Sequence, residues 1–434
     1  MRHGLTDELI LYRNFKRQDI LDGFTYLFDR LSSGENTDGK EYKTVFYDTV
    51  NRLLKLSDDF GFSGNLWHCF LAYLLCNNEN PFSCACEIRG RIEGSMNSLA
   101  MHDFGIFREL FHADLGALGQ KLGTDVTKVL ESYTAYKDNG KAFNKRIRDR
   151  ICELAVALAK AESDGEFMDT VTGFYRDYGV GKFGLNKAFR LRVTPENTEI
   201  EPIYNILHVQ LSDLVGYESA KKKLIDNTEA FLAGKGANNC LLYGDAGTGK
   251  SSSIKAIANM YYDRGLRIIE VYKHQIASLN DVVAQIKDRN YKFILYMDDL
   301  SFEEFEIEYK YLKALIEGGL EKKPGNILIY ATSNRRHLIR ENFRDKNERD
   351  EDLHINDTVQ EKLSLSDRFG MSIYFGRPDK KEYHRIVLAL AERNGIMMDE
   401  DELLLKADQW ELNHTGKSGR AAEQFINYLK GING

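Results

Sequence analysis

No apolar run in the sequence reaches the roughly 18 residues that a bilayer-spanning helix needs. The opening stretch, MRHGLTDELILYRNFKRQD, interrupts every short apolar segment with charge, so it lacks the continuous apolar core of a secretory signal. These two absences predict a cytoplasmic protein without membrane insertion. Cysteine is sparse as well. Six in 434 residues (Cys69, Cys76, Cys84, Cys86, Cys152 and Cys240) are too few for a disulfide scaffold, and reduced, largely buried thiols are expected. His68, Cys76, Cys84 and Cys86 contain metal-ligating atoms, but a C-x-C lacks the paired C-x2-C spacing of a zinc site, which favours packing over ligation. Internal repeats and low-complexity tracts are missing. There is no surplus of positive charge either; the formal net charge of −7 offers nucleic acid no general attraction.

What is present is the balance of a globular chain, 43% hydrophobic and 29% charged, in a length that predicts at least two hydrophobic cores. From about Leu9 to Lys160 apolar residues recur at three- and four-residue steps, as in ILDGFTYLFDRL and LWHCFLAYLL, which predicts helices. The basic segment at 141–150, KAFNKRIRDR, lacks interleaved aromatics and is expected to be a solvated helix face. FGLNKAFRLRV then alternates like a strand, and Pro195 and Pro202 follow, which places a domain boundary near 205. Beyond it, NCLLYG, LRIIEVY, FILYMDD, NILIYATS and MSIYF alternate with helical segments or long polar loops, the rhythm of a parallel sheet covered by helices. After Arg377 only helical periodicity continues, and Asp379 with Glu382 has capping-box spacing. The expected organisation is a mainly helical domain over 1–205 with a strand-like segment near its end, an α/β domain over 206–377 and a helical appendage over 378–434.

Gly244-Asp245-Ala246-Gly247-Thr248-Gly249-Lys250-Ser251 matches G-x-x-x-x-G-K-[ST] without departure, and Ser252 follows it. An apolar strand precedes the motif and a helical segment follows, as its mechanism requires. Glycines let backbone N–H groups curl round phosphates, and the helix start adds donors and positive potential. Lys250 is expected to reach the β- and γ-phosphates of ATP, and Ser251 to ligate Mg2+. A second strand, FILYM, ends in Asp298-Asp299. Asp298 is the candidate for the Mg2+ shell, and Asp299 for the general base that aligns the attacking water.

The order LSDLVGYE, GDAGTGKSS, MDDLSFE, ATSNRRHL, LSLSDRFG and GKSGRAAEQF, which spans the chain from Leu211 onward, resembles an AAA+ ATPase core. It is most similar to a bacterial AAA+ family catalogued as an ATP-binding domain of unknown function. The resemblance implies a P-loop NTPase sheet with a C-terminal helical lid. It also implies adenine contacts from Leu214, Val215 and Gly216, a sensor residue at Asn334 and an arginine finger supplied in trans by Arg368. Arg420 would then link lid and phosphate. Arg340, Arg344 and Arg349 are secondary candidates for a trans contact. One departure concerns AAA+ proteins at large: their signature ends in Asp-Glu, whereas Asp299 is one methylene shorter, and misplacement on that scale costs on the order of a hundredfold in rate. Glu303 and Glu304 lie close downstream, more naturally as a solvated acidic loop.

The resemblance leads to an expected ATPase that works as a homo-oligomer and uses Mg-ATP to remodel or load an unidentified protein or nucleic-acid client. A nucleotide-gated scaffold with slow or incidental hydrolysis is the alternative.

Overall fold

A computed structural model describes residues 4–32, 40–136, 145–204, 209–303, 306–317, 324–336, 338–339, 365–414 and 416–433. Arg340, Arg344, Arg349, Glu304 and the segment 141–144 lie outside the described residues. The chain divides into two compact units, Met1–Asn186 and Lys187–Gly434.

The first unit is helical, as the three- and four-residue apolar periodicity predicts. Its helices are α1 (Gln18–Ser32), α2 (Lys40–Phe60), α3 (Leu66–Asn77), α4 (Pro81–Cys86) and α5 (Met96–Phe111). They continue with α6 (Leu115–Leu122), α7 (Val126–Glu131), α8 (Lys145–Leu158), α9 (Asp164–Tyr178) and α10 (Gly181–Leu185). The central helix α3 is apolar on nearly every face, so neighbours surround it, whereas α8 buries only the stripe Ile147, Ile151, Leu154, Ala155 and Leu158. Arg150, in the basic run, stacks its guanidinium 3.9 Å from the centre of the Tyr178 ring, an intradomain use of that charge. Fully buried Asp103 fixes the chain start by accepting the backbone N–H groups of Ile10, Leu11 and Tyr12 at 2.9, 2.7 and 2.9 Å.

The second unit is an α/β layer structure. One seven-stranded sheet runs in the order β2-β1-β4-β5-β6-β3-β7, with β1 (Ala188–Val193), β2 (Thr198–Pro202), β3 (Cys240–Gly244), β4 (Leu266–Glu270), β5 (Lys292–Met297), β6 (Ile327–Ser333) and β7 (Met371–Phe375). All neighbours pair in parallel except the β1–β2 hairpin. β6 is buried along its whole length, as a central parallel strand covered on both faces must be. Helices α11 (Glu218–Leu232) and α12 (Lys250–Tyr261) pack through Leu224, Phe231, Ile254, Ile257 and Tyr261 onto Leu242, Ile294, Tyr296, Leu328 and Tyr330. α13 (Leu279–Ile286) and α14 (Glu308–Glu317) complete the layers. Three helices follow the sheet: α15 (Lys380–Arg393), α16 (Glu400–Leu412) and α17 (Gly419–Asn433), with a small core of their own around Tyr383, Val387, Leu403, Ala407, Ala422 and Phe425. Asp379 caps α15 by accepting the Glu382 N–H at 2.7 Å, as its spacing predicts.

The boundary differs from the one near 205. Residues 188–202, expected at the end of the helical domain, are an edge hairpin of the sheet instead, because β1 pairs in parallel with β4 and so belongs to the second core. A two-stranded hairpin cannot stand alone in water, which is why it joins the nearest open edge.

Removing the Asp103 acceptor leaves three N–H groups without their partner. We therefore expect Asp103→Ala to destabilise the helical unit by about 3 kcal/mol or more, read as a lowered urea midpoint of its unfolding transition.

Candidate nucleotide site

The sheet order makes β3 a switch point: the chain leaves it through α12 to β4, works back through β5 to β6, and then places β7 on the other side. Clefts at the carboxyl ends of strands beside such a switch are the binding positions of open α/β sheets. Here the loop after β3 turns directly into α12. Gly244 takes φ 134°, and a Cβ there would stand 2.1 Å from the Phe375 carbonyl oxygen of β7, so no other residue fits. Gly247 (φ 76°) and Gly249 (φ 90°) complete the curl, the latter directly before the first residue of the helix.

Lys250 is buried and folds back over the loop. Its Nζ donates to the carbonyls of Gly244 (2.8 Å) and Asp245 (2.6 Å) and to Asn334 Oδ1 (3.1 Å). Burial holds the ammonium below the ordinary lysine range, against the opposing pull of Asp245, Asp299 and Asp298. Next to it, Ser251 Oγ donates to Asp298 Oδ1 at 2.6 Å, which joins the helix start to the end of β5. Thr332 of the intervening strand β6 donates to the same Asp298 oxygen at 2.6 Å and accepts the Asp299 N–H at 2.8 Å. Asn334, just beyond β6, donates to Asp299 Oδ1 at 2.7 Å. Six side chains from three elements thus form two linked relays, Ser251–Asp298–Thr332 and Lys250–Asn334–Asp299.

Burial raises the Asp298 carboxyl, but hydrogen bonds from Ser251 and Thr332, together with the nearby Tyr296 hydroxyl, outweigh it and hold the group below the usual aspartate range. The buried Tyr296 hydroxyl lies two residues upstream on the same face of β5; it is close enough to Asp298 to act on it but makes no well-directed hydrogen bond itself. Asp299 adopts a left-handed backbone, φ 48°. Aspartate and asparagine enter that region more readily than longer acids, which gives a local reason for Asp rather than Glu at this position.

The cleft, of about 520 Å3, is lined by Ala246 to Ser252, Asp298, Asp299, Asn334, Leu214, Val215 and Arg420. It is within the range of small-molecule sites, about 300–1,000 Å3. Leu214 contacts the loop, its Cδ2 lying 3.1 Å from where a Gly249 Cβ would be, and Val215 packs against the core of the C-terminal helices. The start of α17 is pinned to the loop by the Arg420 N–H, which donates to the Gly247 carbonyl at 3.2 Å.

Other expected residues sit elsewhere. Gly216 forms a left-handed turn (φ 85°) against Glu382 and does not line the cleft. The Asp245 carboxylate turns to Arg377, accepting its N–H at 3.1 Å and pairing with its Nε at 3.3 Å. Arg368 is not brought to the cleft of its own chain; its Nε pairs with Glu317 at the end of α14. Conversely, Thr332, Tyr217, Ile386, Leu390, Arg393 and Glu423 line the cleft without having been singled out in the sequence. Thr332 and Asn334, two residues apart, share a face as the chain leaves β6, so ATSN holds a signal for Thr332; the sequence holds none for Arg393, which acts through a helix far along the chain. Its guanidinium donates to the backbone carbonyls of Asp213 (3.0 Å) and Ser212, tying α15 to the segment that carries Leu214 and Val215.

A family model described as "Protein of unknown function (DUF815)" matches residues 185–433. Over 74 residues the chain is 39% identical to the replication factor C large subunit of Staphylothermus marinus; the match covers 17% of this chain and 17% of that protein. The chain thus spans only a small part of the length of that relative. Among solved structures, the RuvB Holliday junction branch migration motor of Thermotoga maritima is similar at 14% identity and a TM-score of 0.30. The FIGL-1 AAA domain in complex with ADP is similar at 15% and 0.35; each likeness covers 51% of this chain and 72% of the other. The α/β assignment rests on the sheet order and motif placement of the chain itself.

The hydroxyl of Thr332 helps keep Asp298 ionised. Replacing it by the isosteric Thr332→Val should raise the Asp298 carboxyl toward the ordinary aspartate value, a shift that a carboxyl-carbon NMR titration reads directly. The sign follows from linkage: a depressed carboxyl stabilises the folded state above the ordinary aspartate range, and that contribution is lost as pH falls through the folded value.

Proposed function

Since the chain belongs to the DUF815 family of proteins of unknown function, we propose from the chemistry of its own cleft that it is an AAA+-type ATPase that binds and hydrolyses Mg-ATP. The observation that carries the reading is the 2.6 Å hydrogen bond from Ser251 to Asp298, which sets a hydroxyl at the start of a P-loop helix against the carboxylate closing β5, the next strand but one. In this reading Lys250 exchanges its carbonyl partners for the β- and γ-phosphate oxygens, and the N–H groups of the loop cradle the chain of phosphates. Leu214 and Val215 offer apolar contact to the base.

Ser251 and Asp298 would hold magnesium; two hard oxygens suit an ion that takes few protein ligands and keeps several waters. Bound there, the ion supplies neutralisation of phosphate charge. Asp299 aligns the attacking water and accepts its proton. Asn334, hydrogen-bonded to both Lys250 and Asp299, keeps the base and the phosphate clamp in register. Arg420, at the helix start docked on the loop, reports phosphate occupancy to α17. Arg368 of a neighbouring subunit would leave Glu317 for the γ-phosphate, which makes the active form an oligomer. Turnover would then move the C-terminal helices and remodel or load a protein or nucleic-acid client.

A second reading, a nucleotide-gated scaffold with incidental hydrolysis, is favoured by the short Asp299 side chain, one oxygen of which is already held by Asn334. The two differ in turnover.

Lys250→Ala should weaken Mg-ATP binding at least about tenfold, since it deletes a charged hydrogen-bond donor, as titration calorimetry would record. Asp299→Asn should keep ATP affinity while slowing phosphate release about a hundredfold, the usual contribution of a general base. Failure of the wild type to take up ATP with magnesium would sink both readings; binding without phosphate release, combined with ATP-dependent assembly, would select the scaffold. Mixing Arg368→Ala with Lys250→Ala should restore part of the lost turnover, because one protein supplies an intact cleft and the other an intact finger. No recovery on mixing would rule out Arg368 as the finger acting in trans.

A further inference from the structure

We propose that Cys69 and Cys152 form a peroxide-sensitive dithiol that closes to an intramolecular disulfide, stapling α3 to α8 within the helical unit. The two sulfurs are 3.9 Å apart, with the Cys69 thiol donating toward Cys152 Sγ. They come from helices 83 positions apart in sequence that pack side by side, and both sulfurs also lie near the Ser63 carbonyl, at 3.6 and 4.0 Å. Bridge formation therefore needs side-chain rotation over about 2 Å, given an S–S bond of about 2.05 Å. Exposure divides the roles. Cys69 is 3% exposed, whereas Cys152 is half-buried and open to a small oxidant.

The electrostatics agree with that division. The hydrogen bond from Cys69, the Ser63 backbone and the charge of Arg148 bring the Cys152 thiol down to about 7 against its burial and the charge of Asp149, while the Cys69 thiol is pushed well up by donating that bond and by burial. Other thiols go the opposite way: burial raises Cys86 to about 11 and Cys240 to about 12. Cys152 is thus the attacking sulfur and Cys69 the resolving one.

The chemistry balances with hydrogen peroxide as the oxidant. The Cys152 thiolate attacks one peroxide oxygen; an S–O bond forms, the O–O bond breaks, and hydroxide leaves to become water. Cys69 then loses its proton and attacks the Cys152 sulfur; the S–S bond forms, the S–O bond breaks, and a second water leaves. Two thiols are oxidised by two electrons and one peroxide is reduced to two waters. Dithiols of this kind suit compartments where structural disulfides are rare but redox-sensing ones occur.

The full-length protein, treated with a small molar excess of hydrogen peroxide and then denatured, should lose two of its six titratable thiols. Peptide mapping should yield one linked pair spanning positions 69 and 152, lighter by two hydrogens and separated again by dithiothreitol. A bridge closing so long a loop should raise the melting temperature of the helical unit by roughly 5 to 10 °C. Cys152→Ser and Cys69→Ser should each abolish the linked peptide, and Cys84→Ser should retain it. The wild-type map decides even if a variant misfolds. Six thiols remaining, sulfinic acid on Cys152 beside a free Cys69, or a bridge to any other cysteine would overturn the proposal.

Discussion

A single threonine hydroxyl ties the candidate site together, because β6 lies between the strand that leads into the phosphate loop and the strand that carries the acids. The β5–β6 register sets Met297 opposite Ala331, so the next residue, Asp298, comes level with Thr332, which in turn faces Leu242 of β3. Only with this alignment can Thr332 donate to Asp298 and accept from the Asp299 backbone at once. A slip of one residue would turn Thr332 to the opposite face and part the two acids from the loop. The complete burial of β6 resists such a slip, since its side chains are fixed on both faces by packing. The geometry of the candidate site is a consequence of strand registration.

The C-terminal helices are joined to that geometry at two places of different chemistry. At one, the backbone of Arg420 meets the loop itself; at the other, Arg393 grips the carbonyls of Ser212 and Asp213 while Val215 enters the apolar core of the helices. The first contact ties α17 to the loop, and the second ties the wall of the cleft to α15. Because the small core around Tyr383, Leu403 and Phe425 packs as a unit, displacement at either contact is passed to all three helices rather than absorbed by one side chain.

Much of this was legible in the sequence. The eight residues 244–251 require glycines at set positions between a strand and a helix, and the geometry at Gly244 shows why: a β-carbon has no room beside Phe375. Asp298, Asp299 and Asn334 stand out through their place after the phosphate loop in the order of motifs, since acids and amides at strand ends are by themselves common turn residues. The β1–β2 hairpin was assigned to the wrong side of the boundary because alternation marks a strand but not its partner. Thr332 reads in the sequence as one more β-former on a buried strand, and Arg393 gives no signal because its target is a pair of backbone carbonyls, which leave no trace in side-chain identity. Arg368 shows the reverse limit: a motif can mark a residue whose expected partner belongs to another molecule, while within its own chain it is spoken for by Glu317.

The left-handed backbone at Asp299 has a bearing on how the site can vary. A fully reaching glutamate would gain a methylene but lose the ease with which aspartate takes φ 48°. Reach and conformational comfort are therefore opposed at this one position, and a change in acid would have to be accompanied by a change in the shape of the turn after β5. The identity of the acid and the course of the main chain are thus coupled at this corner.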